Sequence, residues 1–207
     1  MSEQILVELI RLIPSFLWLV LVAVVLGVFY RPIRQELIPR MSGFRAFGFE
    51  VALLREELDK AVDKQGVEVG QSDRTQVLRR AEMVGQMMRG ARILWVDDHP
   101  ENNEYEHRIM RSLGALVDTA RSSAEARSML SRINYDLVIS DIDRDGVPDE
   151  GLRFLEDMCE RGPYPRTVLY VGSVDLDKGV PAHAFGITDR PDELLHLVMD
   201  GLERERV

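Results

Sequence analysis

Two adjacent aspartates, Asp97 and Asp98, close the apolar run at the start of "ILWVDDHPEN". A third, Asp141, closes the apolar run of "DLVIS" (136–140), and Asp143 follows two residues later. Alone, a like-charged pair at a strand tip is either a solvated turn or a site that requires negative charge. Carboxylates brought together from separate strand ends repel one another unless a cation holds them. Oxygen ligands of this kind suit Mg²⁺, which prefers octahedral oxygen coordination and keeps several waters. An aspartate in such a cluster is also a candidate nucleophile toward a phosphoryl group.

The elements that would position these aspartates repeat in order. "RILWV" (92–96), "ALVDTA" (115–120), "DLVIS" (136–140), "TVLYV" (167–171) and "HAFGIT" (183–188) read as strands. Amphipathic segments at 103–113 and 150–160 separate them, as does a helix opened by the Ser122 and Glu125 capping pair. A last helix starts at Pro191. Near-continuous apolar strands alternating with helices mean a parallel sheet covered on both faces. Sites in such sheets lie beyond the carboxyl ends of the strands. The five ends carry Asp97 and Asp98, then Asp141, then Gly172 and Ser173, then Asp189 and Arg190.

The pieces "ILWVDD", "YDLVISDIDRDG" and "AFGITDRP" with its following helix make residues 91–207 resemble a response-regulator receiver domain. The resemblance implies a flavodoxin-like α/β fold with a five-stranded parallel sheet. It implies that Asp141 is the phosphoacceptor and that Mg²⁺ is held by Asp97, Asp98, Asp141 and the backbone carbonyl of Asp143. It implies a histidine kinase or another signalling protein as partner.

Four departures stand out. The family ends its fourth strand on Thr or Ser, whereas direct alignment puts Gly172 there and Ser173, the remaining candidate hydroxyl, one place late. The family lysine before proline is Arg190 here, a planar fork instead of a compact ammonium. "DRDGVPDEG" lengthens the loop after Asp141 and adds Asp145, Asp149 and Glu150, which either alter metal binding or are solvated. Between the fourth and fifth strands "SVDLDKGVPA" has little helical period, which implies a different partner surface. The alternative is a pseudo-receiver that is not phosphorylated and serves as a protein-interaction module or membrane effector scaffold.

Composition bounds the rest. A net charge of -9 in 207 residues argues against general nucleic-acid binding. The single cysteine, Cys159, gives no disulfide framework and has no evident histidine partner; it reads as packing. The histidines at 99, 107, 183 and 196 show no ligand spacing.

After a short segment 1–11, residues 12–29 carry no charged side chain. That run is long enough to cross a bilayer core, so a single transmembrane helix is expected over 12–30. Glu3 and Glu8 replace the basic cluster that a signal peptide would have. Arg31, Arg34, Arg40 and Arg45 follow it, which places the carboxyl-terminal part in the cytoplasm, single-pass in the inner (plasma) membrane of a bacterium. Residues 31–90 then form a helical connector broken by Pro32 and Pro39, with helices near 44–64 and 75–89 and a polar linker near 65–74. Phe44, Phe47 and Phe49 with Arg45 fit either the lipid surface or a packed partner. The bilayer is thus an expected partner, and assembly into a homo-oligomer through the membrane segment is a further role the architecture allows.

Overall fold

The computed structural model describes residues 38–205 except 176 and 178, with side chains from residue 52 apart from those of Gln86 and Glu205. The expected membrane helix at 12–30, the segment 31–37 and the side chains of Phe44, Arg45, Phe47 and Phe49 lie outside the described residues. Among those residues no helix is long and apolar enough to cross a membrane. The chain divides into units of residues 1–49 and 50–207.

Two helices come first, α1 (Ile38–Gln65) and α2 (Gln71–Met88). Pro39 sits in the first turn of α1, where a missing N–H costs nothing, so it does not break the helix. The polar linker is shorter than expected, residues 66–70, because Gly66 (φ +70°) ends α1 and a new helix starts at once at Gln71.

The α/β part follows as β1 (Arg92–Val96), α3 (Glu104–Ser112), β2 (Leu116–Ala120), α4 (Ser123–Leu130), β3 (Leu137–Ser140), α5 (Glu150–Glu160), β4 (Arg166–Tyr170), β5 (Gly186–Thr188) and α6 (Pro191–Glu205). All pairings are parallel, in the order β2-β1-β3-β4-β5. The central strands are buried on both faces, which is why their sequences are unbroken apolar runs. The Ser122 hydroxyl accepts from the Glu125 N–H at 3.2 Å, so the expected cap opens α4. The fifth strand is only three residues, since 183–185 still belong to the incoming turn. Among the described residues between β4 and β5 there is no α-helix.

Opposite faces of the sheet carry separate cores. Leu94, Val96 and Val138 pack with Phe154, Leu155 and Met158 under α4 and α5. Ile93, Trp95, Leu137 and Val168 pack with Ile109 of α3 and Leu194 and Val198 of α6. That second core continues through Leu58 and Val62 of α1 and Val77, Leu78 and Ala81 of α2. The helices expected as a connector are therefore packed layers of the unit that starts at Glu50. Full burial of side chains such as Leu58 and Val62 contributes on the order of 1.5–3 kcal/mol each. Arg80 of α2 also reaches Asp200 and Glu203 of α6.

Candidate functional site at the carboxyl rim of the sheet

Strands β1 and β3 are neighbours in register, with Val96 beside Ser140. The residues after them, Asp97, Asp98 and Asp141, are consequently brought to one rim. Ligand oxygens of the three carboxylates lie within 4.8 Å of one another, a spacing that could hold a metal ion. They line a cavity of about 510 Å³, together with Asn103, Asp143, Asp145 and Gly172 and, from α1, Lys64 and Gln65.

Each carboxylate is held differently. Asp97 is buried; it accepts from the His99 N–H at 2.7 Å and from the Asn103 amide. Burial nevertheless pushes its pKa up, with help from the neighbouring charge of Asp98. Asp98 accepts the Asp145 N–H at 2.8 Å. Asp141 accepts the Ile142 N–H at 2.7 Å. Burial, and secondarily the charges of Asp97 and Asp143, raise the Asp141 pKa to about 6 despite that hydrogen bond. The donor set is all oxygen, and its charges are incompletely balanced by the protein. Such a set fits a hard divalent cation. Asp143 uses its side chain to accept the Asp149 N–H at 3.0 Å while the residue lines the cavity.

The long loop after Asp141 is a tight hairpin. Arg144 and Val147 pair across Asp145 (φ 52°) and Gly146 (φ 72°), two consecutive left-handed residues as a type I′ turn needs. The added Asp145 is thereby placed against Asp98, and Arg144 turns inward. Arg144 is 1% exposed and donates to Ser140 Oγ at 2.7 Å, the Asp141 carbonyl at 3.2 Å and Ser123 Oγ at 2.8 Å. Its charge lowers the Asp141 pKa and partly offsets the cluster. In the sequence the Asp145–Gly146 turn pair is the one signal of the inward turn of Arg144. The sequence does not mark Asn103 and Lys64 as members of the site. Gly151 closes the loop from below, with its N–H on the Ile142 carbonyl at 2.8 Å. A Cβ on Gly151 would fall 2.1 Å from the Asp141 carbonyl oxygen, so glycine is required there.

The other expected residues divide between the cavity and positions away from it. Arg190, which stands where the family lysine would be, turns to Asp192 and Asp73 and is not among the cavity's lining residues. Asp192 is the main reason that the Arg190 pKa is raised. Gly172 lines the cavity at the end of β4, whereas Ser173 is exposed and does not. His99 is exposed, 3.2 Å from Glu101, which raises its pKa. Cys159 Sγ lies 3.4 Å from His183 Nδ1, a partner too distant in sequence to be foreseen.

A 2-1-3-4-5 parallel sheet with carboxylates on its carboxyl rim defines a flavodoxin-like α/β domain with a candidate cation site. The comparisons say which kind. Residues 93–190 match the family described as the response regulator receiver domain. No curated protein matches the chain. The receiver domain of the Francisella response regulator 1452 is similar at 16% identity and a TM-score of 0.50, over 56% of this chain and 98% of that one. The response regulator TrrA of Thermotoga maritima, solved in complex with Mg²⁺-BeF, is 28% identical over 54% of this chain and 98% of its own, with a TM-score of 0.46. The signal receiver domain of an HD domain-containing protein from Pseudomonas fluorescens Pf-5 is 25% identical over 57% of this chain and 98% of its own, with a TM-score of 0.49. Residues 93–190 thus form a response regulator receiver domain, a signalling module.

Proposed function

We propose that this is a membrane-tethered signalling protein whose receiver domain binds Mg²⁺ at the acidic rim and accepts a phosphoryl group on Asp141. The observation that carries the reading is the convergence of Asp97, Asp98 and Asp141 within 4.8 Å, with the Asp141 pKa raised by burial to about 6. Asp97, Asp98, Asp141 and the Asp143 carbonyl would hold the ion. When bound, Mg²⁺ supplies charge neutralisation for the phosphoryl oxygens.

The chain's own residues do the rest. Asp141, ionised at neutral pH, offers a carboxylate oxygen to the donor's phosphorus. A carboxyl O–P bond forms, and the donor's P–N bond (phosphohistidine) or P–O bond (a small acyl phosphate) breaks with the electron pair leaving on the donor. Arg144 and the Ile142 N–H fix the Asp141 backbone and carboxylate from beneath. The histidine kinase or other signalling partner is part of this proposal, as are the lipid anchor at 12–30, the cytoplasmic face and self-association through the anchor. The charge-free run and the arginines after it support the anchor and its orientation.

A second reading, a pseudo-receiver acting through protein contacts without phosphorylation, is favoured by three observations. Arg190 is turned away, Gly172 has no hydroxyl, and the described residues between β4 and β5 hold no α-helix. The two separate on one experiment. The full chain in detergent is incubated with a small phosphodonor and Mg²⁺ or a chelator, and intact mass is followed. One added phosphate that requires Mg²⁺ supports acceptance; no addition leaves the pseudo-receiver.

A further inference from the structure

Helix α1 ends on the acidic cavity. Its last two residues, Lys64 and Gln65, both line it. Lys64 Nζ donates to the Glu101 carbonyl at 3.0 Å, in the turn after β1. Gln65 Nε2 donates to the Val171 carbonyl at 3.1 Å, just past β4. In the sheet order, β1 and β4 flank β3, whose end carries Asp141. The two anchors therefore stand on either side of the acceptor strand.

Charge distinguishes Lys64 further. Among the described residues it is the one Lys or Arg that lines the cavity, and Arg190 is engaged by Asp192. Its side chain is exposed, its hydrogen-bond partner is a neutral carbonyl, and its Nζ lies 5.8 Å from the centroid of the Tyr105 ring, also a neutral group. A dianionic phosphoryl group is a much stronger acceptor for an ammonium than a peptide carbonyl is. The flexible four-carbon stem lets the head group change partner without a change of helix position. Gln65, by contrast, carries no charge and gains much less from an anion than the ammonium does.

We propose that the carboxyl-terminal turn of α1 reads the state of Asp141. A phosphoryl group carried on Asp141 draws Lys64 from the Glu101 carbonyl, removing one of the turn's two polar anchors and changing how α1 docks. This rests on the proposal that Asp141 is phosphorylated. The buried face of α1 (Leu54, Leu58, Ala61 and Val62) keeps the helix on the domain, so the change is confined to its end.

The test uses the full chain in detergent as wild type, Lys64→Gln, Lys64→Arg and Asp141→Asn. Three quantities are measured: intact mass with a small phosphodonor, affinities for Mg²⁺ and for beryllofluoride, and amide exchange over residues 58–68. Wild type is expected to gain one phosphate, and exchange over 58–68 to change at least threefold with it. Lys64→Gln is expected to bind Mg²⁺ as tightly as wild type or up to about threefold tighter, because a like charge has gone, and beryllofluoride roughly tenfold more weakly. Lys64→Arg recovers part of the loss. Opposite signs for cation and anion exclude a merely structural role. Equal weakening of both overturns the proposal, as does beryllofluoride binding at wild-type strength or unchanged exchange in phosphorylated wild type; each leaves the Asp141 reading intact. Wild type that takes no phosphate overturns the Asp141 reading, and this inference with it.

Discussion

Arg190 grips Asp192 through two hydrogen bonds, Nε to Oδ1 at 3.2 Å and Nη2 to Oδ2 at 2.7 Å. Asp192 is 3% exposed, so this pair closes the start of α6, and a third contact to Asp73 ties it to α2. The arginine after β5 is a structural clamp facing away from the acidic rim. Replacing it by alanine leaves a buried carboxylate without its cation, a loss of about 2 kcal/mol. Arg190→Ala is expected to lower the thermal midpoint while the rate of phosphate uptake on Asp141, read by intact mass, stays within about twofold.

Asp141 makes stability depend on pH in a defined direction. Its carboxyl titrates near 6 in the folded chain, against about 3.9 when unfolded. As pH rises between those values the unfolded chain releases its proton first, so the folded state loses relative stability, and the loss is complete at neutral pH. Asp141→Asn is expected to stabilise the chelator-treated protein at pH 7 by on the order of 1–3 kcal/mol and to do nothing near pH 3. Excess Mg²⁺ is expected to reverse the ranking, because asparagine lacks the carboxylate proposed to hold the ion. Denaturant melts at the two pH values, with and without Mg²⁺, read this out.

Gly172 leaves room that a hydroxyl would fill. A Cβ there meets nothing within 4 Å, and its φ is not among the positive ones, so a side chain enters without strain. Gly172→Ser is expected to change stability by less than about 0.5 kcal/mol. It is expected to tighten beryllofluoride binding about threefold, the worth of one modest hydrogen bond. Ser173→Ala, at an exposed position off the cavity, is expected to leave that binding unchanged.

Arg144 is the cation beneath the cluster. Arg144→Met keeps the bulk but leaves the Ser140 and Ser123 hydroxyls without their donor and removes the charge that lowers the Asp141 pKa. A loss of about 2 kcal/mol is expected, with the pH midpoint for phosphate uptake moved upward. Thermal melts and a pH series of uptake rates check the two effects separately.

How far the sequence reached depends on the range of the interaction concerned. The strand ends were legible because an apolar run stopped by aspartate marks both a buried strand and its exit. The starts of α4 and α6 were legible because a capping pair and a proline act within four residues. The direction of Arg190 was not, since it is decided partly by Asp73, which is 117 residues away in sequence. The inward turn of Arg144 depends on positive φ at Asp145 and Gly146, a choice the backbone makes locally but composition does not announce. The apolar stripes of α1 and α2 announced that a face is buried without saying on what. Lys64 could not be assigned to the rim before that packing was known.

The central claim is that the fold singles out Asp141 from a cluster that also contains Asp97, Asp98, Asp143 and Asp145. Borohydride reduces an aspartyl phosphate to homoserine, so peptide mapping after phosphodonor treatment locates the acceptor directly. Mg²⁺-dependent reduction is expected at position 141 alone. Reduction at another aspartate of the rim, or at none, would contradict that claim.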